Sequence, residues 1–288
     1  MRRKLLIILT SLLALAGIIF VLASEHTLVF HPKGMIASEI KNLIIRNLLI
    51  MSLIIIPTYL LLVAVVWKYC IKKKKIKYDP EHSSSPIGEL LLWGLPSLIV
   101  VALSIVTWDV THKLNPYKPI ESEIPPLAVQ VVAIDWKWLF IYPEQGIATL
   151  NAFHLPEKTP VHLRLTADGS PMNSFWIPQL SGQIYAMTGM TTQLHLIADA
   201  IGNYKGRAVE INGEGYADMV FGVTSTSQKD FESWVELVKL SPLHLTEDVY
   251  KELVKPSVNR SVLLFSEVDP DLYRKIIDKY MYPTVPVL

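Results

Sequence analysis

Cysteine is the scarcest residue of this chain, with Cys70 the only one in 288 residues. A single cysteine excludes an intrachain disulfide. It also leaves no pair of thiolates with which to bind a metal ion. Functions that depend on paired thiolates are therefore excluded.

Apolar residues make up 51% of the chain and are concentrated before Thr111, where charged residues are few outside short basic clusters. After that point the composition is that of an ordinary globular domain. The sequence therefore divides into a membrane part and one domain of the usual size, which is large enough to bury a core.

Three long apolar stretches lie in the first part of the chain. The first, residues 5–23, follows basic residues and ends in small ones, which predicts a signal peptide over 1–24; a retained first helix is the alternative, because the stretch is almost long enough to span a bilayer. The other two stretches, 47–67 and 90–108, are each long enough to cross. They predict a two-helix transmembrane hairpin over 47–110.

A lysine cluster separates the two hairpin segments and consists of Lys68, Lys72, Lys73, Lys74, Lys75 and Lys77. Because basic loops stay on the cytoplasmic side, the loop 68–86 is predicted to be cytoplasmic. The segment 25–46 and everything after the hairpin are then external. A nucleic-acid-binding face would need basic residues spread across a folded surface, and this short cluster beside a membrane segment does not supply them. No nucleic-acid partner is therefore expected.

The rest of the chain changes its pattern twice. A proline-rich linker is predicted over 111–126. Apolar residues then alternate with period two between prolines and glycines, which predicts an antiparallel sandwich or Greek-key barrel over 127–226. Helical spacing returns in 227–288 and predicts a helical C-terminal arm, packed on the sandwich or on a partner.

Several segments carry a family resemblance: His31-Pro32-Lys33-Gly34, Asp135-Trp136-Lys137-Trp138, the stretch 141–149 and Ile184-Tyr185-Ala186-Met187. With the hairpin and the external domain, they resemble subunit II of the haem-copper oxidases, in the quinol oxidase branch of cytochrome bo-type ubiquinol oxidases. The resemblance runs from about His31 to the C-terminal helices. It implies a transmembrane α-helical hairpin, an external all-β cupredoxin-like sandwich and a short α-helical C-terminal tail.

In the cytochrome c oxidase branch of that family the sandwich binds a binuclear copper centre. The resemblance implies that four of the ligand positions are lost here and two retained. Copper prefers thiolate, imidazole and thioether ligands to amide or phenol groups. The resemblance therefore implies no metal site and no cofactor in this chain, with haems and copper in the large partner subunit. The lost positions are Asn173, Ala208, Asn212 and Tyr216, and the retained ones are Glu210 and Met219.

Other histidines and methionines offer a weaker case for a metal. The phase of the alternation predicts that His162 and His195 lie on the surface. The methionines are expected to fill the core. Packing is likewise the expected role of Trp136 and Trp138. The other residues that could in principle supply imidazole or thioether ligands to a metal are His154, Met172, Met187 and Met190.

Glu89 stands at the start of the second hairpin segment, at the predicted cytoplasmic edge. The resemblance implies that a glutamate here helps deliver protons into the lysine-lined pathway of subunit I. The alternative is a carboxylate that only favours the helix N-terminus. At the other end of the chain's membrane part, Glu25 stands where a lipoprotein signal would need cysteine, so thioether lipidation there is excluded.

The resemblance as a whole implies a subunit of a proton-pumping ubiquinol oxidase of the aerobic respiratory chain, which couples ubiquinol oxidation to the reduction of oxygen to water. This subunit would have a structural and proton-uptake role and no catalytic residue. Its partners would be the large haem-copper subunit I, the other subunits, membrane lipid and, through the complex, ubiquinol. The location would be the bacterial inner membrane, with the C-terminal domain in the periplasm.

Two alternatives to this function remain open. The first is a copper-containing cytochrome c oxidase subunit II, which the missing cysteines disfavour. The second is a membrane-tethered binding or assembly module without a respiratory role, because cupredoxin-like folds also serve as scaffolds. Co-purification with a haem-bearing membrane subunit would favour the oxidase subunit over this second alternative.

Overall fold

The structure is a computed structural model that describes residues 27–71, 86–258 and 261–281. It consists of two compact units, Ile40–Asn115 and a second that joins Met1–Glu39 to Pro116–Leu288. The predicted signal peptide and the lysines of the loop beyond residue 71 lie outside the described residues.

The first unit contains most of two long helices. These are α1, Met35–Val66, which continues into a π-helical turn over Trp67–Ile71, and α2, Pro86–Lys113. At 1.5 Å per residue these helices are about 48 and 42 Å long, more than the hydrocarbon core of a bilayer. Both have the length and apolar composition needed to cross a membrane. Helix α1 begins well before the apolar stretch, inside the segment 25–46 that we predict to be external.

The second unit contains a sandwich of two sheets. The strands are β1 Leu127–Ile134, β2 Lys137–Tyr142, β3 Ile147–Leu150, β4 Ala152–Pro156, β5 Val161–Asp168, β6 Met172–Trp176, β7 Ile184–Met187, β8 Thr192–Leu196, β9 Gly202–Ala208, β10 Val220–Thr226, β11 His244–Leu245, β12 Leu263–Phe265 and β13 Glu267–Val268. One sheet of the sandwich has the strand order β12-β3-β2-β1-β5-β8 and the other β4-β10-β9-β6-β7. Strands β11 and β13 pair with each other in a separate sheet.

Two strand pairs in the sandwich are parallel, β1 with β5 and β4 with β10. The expectation of a purely antiparallel sandwich is therefore wrong for these pairs. Period-two alternation tells which face of a strand is buried but not the direction of its neighbour. The two apolar helices, the two-sheet sandwich and the C-terminal helices agree with the predicted fold class.

The interior of the sandwich is rich in aromatic side chains. Phe140 stacks on Phe153 with ring centroids 5.1 Å apart, and Phe175 stacks on Phe221 at the same distance. Trp138 is fully buried between the two sheets and meets Phe175 edge to face at 5.2 Å. Rings in these orientations stabilise a core beyond the area they bury.

The C-terminal arm has more than helices. It contains α3 Gln228–Lys239, α4 Glu247–Leu253 and α5 Leu272–Met281, but also β11, β12 and β13. Strand β12 pairs with β3 and extends the first sheet, so the arm adds short strands to the predicted helices. The strands are only two or three residues long, too short for a periodic pattern to show.

Candidate functional site

Three of the six residues at the positions of the family's copper site lie together in the structure. Asn212, on the loop 209–219 between β9 and β10, donates a short hydrogen bond from Nδ2 to Asn173 Oδ1 on β6. The same nitrogen lies 3.9 Å from Met219 Sδ. Asn173 and Met219 are fully buried. We call Asn173, Asn212 and Met219 the amide cluster.

The fourth of these residues, Ala208, approaches the cluster through its backbone. Its N–H donates to the carbonyl of Met219 at 2.9 Å, and its methyl group lies in the main core. Glu210 and Tyr216 are half-buried on the same loop. In the part of the chain that the structure describes, no hydrogen bond joins either side chain to the amide cluster.

Trp136 covers the loop that carries Asn212. It sits in the turn between β1 and β2 with a φ of 61°, a left-handed conformation that a bulky residue adopts only where its surroundings hold it. Its ring lies so close to Gly215 that any Cβ there would clash with the indole. The turn is fixed by Asp135, whose Oδ1 accepts from Ser170 N at 2.9 Å.

The side chains at this place do not fit a binuclear copper centre. The two amides bind each other, Ala208 has no donor atom, and only the thioether of Met219 is a soft ligand. Two further buried oxygens, Ser174 Oγ and Asn212 Oδ1, have no hydrogen-bond partner among the described residues, but neutral oxygens bind copper poorly. The described residues also contain no group of three or more His, Cys, Asp and Glu placed to bind a metal.

His162 and His195 form a stacked pair on neighbouring strands, with ring centroids 4.5 Å apart. His195 is only 7% exposed, so its predicted surface position is wrong. The linker covers it: His195 Nδ1 lies 3.0 Å from the carbonyl oxygen of Pro116, and that oxygen can only accept, which places the proton on Nδ1. Burial lowers the pKa of His162, whose Nε2 bonds Gln193 at 3.0 Å.

His154 lies against Trp234 of α3, with the two rings parallel and 4.2 Å apart. Burial lowers the pKa of His154 to about 4, so its imidazole is neutral in the folded protein near neutral pH. This histidine is a packing residue of the interface between the sandwich and α3.

The methionines divide into buried and exposed ones. Met219 fills the core as predicted, but Met172 and Met190 are 38% and 53% exposed, so core filling is wrong for these two. Met172 pairs with Met187 across β6 and β7, and β7 is the last strand of its sheet. Strands at a sheet edge leave one side less covered, and the alternation alone does not reveal an edge.

Glu89 lies in the first turn of α2, with its side chain exposed. An acidic residue in a first turn interacts favourably with the helix dipole, and an exposed carboxylate can also exchange protons with water. The position is therefore compatible with both roles considered from the sequence.

The segment His31-Pro32-Lys33-Gly34 packs on the sandwich just before α1. Lys33 N donates to Gln179 O at 2.7 Å, and Lys33 O accepts from Asp199 N at 2.8 Å. The segment therefore fixes the chain that enters α1 to the loops that follow β6 and β8.

The burial of two charged residues is not predicted from the sequence. Lys137 is 2% exposed and Asp168 1% exposed, and both are bonded to the C-terminal arm. A charge at the end of a strand ordinarily indicates a solvent-exposed position, so no local signal marks either residue as buried.

The arm gives the first comparison with known proteins. A family model described as COX Aromatic Rich Motif matches residues 239–284. The matched segment includes the aromatic residues Tyr250, Phe265, Tyr273 and Tyr280. The chain is therefore of the class in which two membrane-length helices and a sandwich are followed by a C-terminal arm with the COX aromatic-rich motif.

Relatives over nearly the whole chain narrow the class to one family. Cytochrome bo(3) ubiquinol oxidase subunit 2 of Pseudomonas putida is 46% identical, covering 94% of this chain and 86% of the relative. Ubiquinol oxidase subunit 2 of Acetobacter aceti is 43% identical over 88% and 82% of the two chains. Quinol oxidase subunit 2 of Bacillus anthracis is 37% identical over 87% and 86%. The chain belongs to the quinol oxidase subunit 2 family.

Among solved structures, the periplasmic domain of subunit II of cytochrome oxidase of Bradyrhizobium japonicum is similar over 42% of this chain and 96% of that one. The TM-score is 0.39 and the sequence identity 20%.

Proposed function

We propose that this chain is the second subunit of a proton-pumping ubiquinol oxidase of the aerobic respiratory chain. Its relatives are named as ubiquinol and quinol oxidase subunits at 46%, 43% and 37% identity over most of their length. The role is structural and proton-conducting: the chain anchors and positions an external domain and carries no redox centre of its own. Haems and copper belong to the large partner subunit.

The amide cluster carries the proposal that this subunit is free of copper. Asn212 Nδ2 is already bonded to Asn173 Oδ1, and one thioether cannot hold two copper ions. Electrons from a soluble cytochrome c would have no acceptor in such a domain. The observation therefore favours a membrane quinol as the electron donor and disfavours the alternative of a cytochrome c oxidase subunit.

The helices α1 and α2 support a place in the inner membrane among lipid and partner subunits. Their large apolar side chains are mostly exposed, including Leu48, Leu61, Leu92 and Trp93 at 58% to 78%. Apolar surface of this extent needs lipid or other helices to cover it. The large haem-copper subunit and the other subunits of the complex are the proposed partners, and the sandwich is proposed to lie in the periplasm.

Metal analysis of the full-length chain, purified in detergent without its partners, tests the copper-free assignment. We expect no stoichiometric copper after incubation with Cu(II) and removal of excess ion, and no near-infrared absorbance. Stoichiometric copper with that absorbance would overturn the assignment and would return the chain to the cytochrome c branch.

Glu89 is the residue we propose for proton uptake, on the strength of its exposed place in the first turn of α2. In the purified complex, Glu89→Gln should lower both quinol-dependent oxygen consumption and proton pumping, with haem content unchanged, because an amide cannot exchange protons as a carboxylate does. Glu89→Asp, which keeps the carboxylate, should retain most of the rate.

The control for Glu89 is Asp109→Asn, at an exposed position near the opposite end of the same helix. We expect normal turnover from it. If Glu89→Gln pumps and turns over like the unmodified complex, the carboxylate serves only the helix N-terminus.

A further inference from the structure

The C-terminal arm packs on the outer face of the first sheet. Its side chains form a second apolar cluster with strand residues that point away from the sandwich core, among them Val132 and Ile134 of β1. Strands β2 and β3 are consequently buried on both faces. The arm contributes Leu245, Tyr250, Phe265, Leu272, Tyr273 and Ile276 to this cluster.

Asp168, at the end of β5, is the central polar contact of the arm. Its Oδ1 accepts from Tyr280 at 2.6 Å and from Lys279 Nζ at 2.7 Å, and its Oδ2 accepts from Tyr250 at 2.8 Å. All three donors belong to α4 or α5. A carboxylate that is 1% exposed would be strongly destabilised without such partners.

Lys137 makes a matching contact of opposite charge. Its Nζ donates to the carbonyl of Lys255 at 2.9 Å and to Ser257 Oγ at 2.7 Å. Ile134 lies directly opposite Lys137 on one side and Asp168 on the other, so the three residues form a row across β2, β1 and β5. Directly paired residues project from the same face of a sheet, and here that face is the one the arm covers.

The residues after Asp168 connect this row to the Trp136 turn. Gly169 N donates to Tyr280 Oη at 3.1 Å, and Ser170 N donates to Asp135 Oδ1 at 2.9 Å. Gly169 has a φ of 110°, and a Cβ there would lie 2.8 Å from Asp135 Oδ1, so only glycine allows the approach. Ser170 O also accepts from Asn173 Nδ2 at 3.4 Å, which brings in the amide cluster.

We infer that the aromatic-rich arm is a latch: by closing on Asp168 and Lys137 it holds residues 168–170, and through them it positions the Trp136 turn and the loop 209–219. This goes beyond the proposed function, because it gives the arm a task of its own inside the chain. Residues 168–170 bond directly to the arm and reach the loop through Asn173, which bonds to both Ser170 and Asn212. Their stabilities are therefore coupled, and such coupling is reciprocal.

The test is hydrogen–deuterium exchange, followed by mass spectrometry, on the purified complex that contains the full chain. Tyr280→Phe removes one hydroxyl and keeps the ring; Asp168→Asn removes the charge. Either change should raise amide exchange roughly tenfold or more in peptides of the arm, the Trp136 turn and the loop 209–219, since each removes a charge-assisted hydrogen bond. Strands β4 and β10, away from the latch, should keep their protection.

Reciprocity gives a second measurement, which does not depend on changing the arm. Asn212→Ala, on the loop, should raise exchange in residues 272–281 of the arm, whereas Asn203→Ala, on the exposed side of β9, should leave it unchanged.

Three results would overturn the latch. The first is faster exchange in the arm with an unchanged Trp136 turn and loop, which would make the arm only a cover for the sheet. The second is an unchanged arm in Asn212→Ala. The third is a uniform rise that includes β4 and β10 in Tyr280→Phe, which would mean general destabilisation. These exchange measurements test the coupling directly, whereas spatial proximity alone does not demonstrate it.

Discussion

Asn173 and Asn212 show how single residues change what the sandwich can bind. Asn212 Nδ2 donates to Asn173 Oδ1, and Asn173 is fully buried whereas Asn212 is half-buried. A metal site needs ligands that are held apart and ready to bind, whereas two bonded amides leave only one weak oxygen over. At the scale of the residue, the site is a packed polar contact of the sandwich.

His154 gives a prediction about pH. Its folded-state pKa of about 4 lies below the ordinary 6.5, because burial disfavours the charged ring. The unfolded chain therefore binds the proton more readily. The stabilisation from keeping His154 neutral is complete above pH 6.5 and is lost as the pH falls from 6.5 towards 4. After a discount for its partial exposure, the loss should be about 2 kcal/mol.

The measurement is chemical unfolding of the full-length chain in detergent at pH 7 and pH 4.5. The difference in unfolding free energy between the two pH values should be smaller in His154→Gln than in the unmodified chain. His244→Gln, at an exposed position, is the control and should behave as the unmodified chain does. An equal acid loss in His154→Gln would show that other groups cause it.

At the scale of the element, helix α3 closes the sandwich and its start is set by one side chain. Ser227 Oγ accepts from Asp230 N at 3.1 Å, the usual bond of an N-cap residue. One face of the helix places Phe231, Val235 and Val238 in the main core. The cap and the apolar face together fix where the arm leaves β10.

Ser227→Ala should therefore lower the free energy of unfolding by about 1 kcal/mol, because the backbone N–H of Asp230 loses its acceptor. Ser233→Ala, on the exposed face of the same helix, should change stability by less than about 0.5 kcal/mol. Both are read from urea unfolding followed by tryptophan fluorescence. Equal effects of the two substitutions would mean that the helix does not depend on its cap.

The whole molecule has two units with different surroundings. One presents apolar side chains to its environment, and the other buries them in two clusters on either face of a sheet. The positive charge between the helices predicts which ends of α1 and α2 face the cytoplasm. We therefore propose that the sandwich and its arm lie on the opposite side of the membrane.

The single cysteine makes this orientation testable. In spheroplasts, a membrane-impermeant maleimide should not label Cys70 until the membrane is disrupted. In a Cys70→Ser background, Ser233→Cys on exposed α3 should be labelled without disruption. Labelling of Cys70 in intact spheroplasts would reverse the proposed orientation.

Much of this protein follows from local sequence. The length of the apolar stretches predicts α1 and α2, and the alternation that begins at Leu127 predicts the strand that starts there. The residue types at Asn173, Ala208, Asn212 and Tyr216 already disfavour copper, because ligand chemistry depends on identity alone. These properties involve only nearby residues or the nature of a side chain.

Tertiary structure decided the rest. The burial of Lys137 and Asp168, the covering of His195 by the linker and the joining of β12 to β3 each depend on segments distant in the chain. The sequence of a strand does not indicate which segment covers its second face. The contacts of Val132 and Ile134 with the arm are therefore known only from the tertiary structure. The sequence by itself determined the long helices, the alternating strands and the absence of copper ligands, because these depend on nearby residues and side-chain identity. The long-range contacts decided which charges are buried and which segments those charges bind.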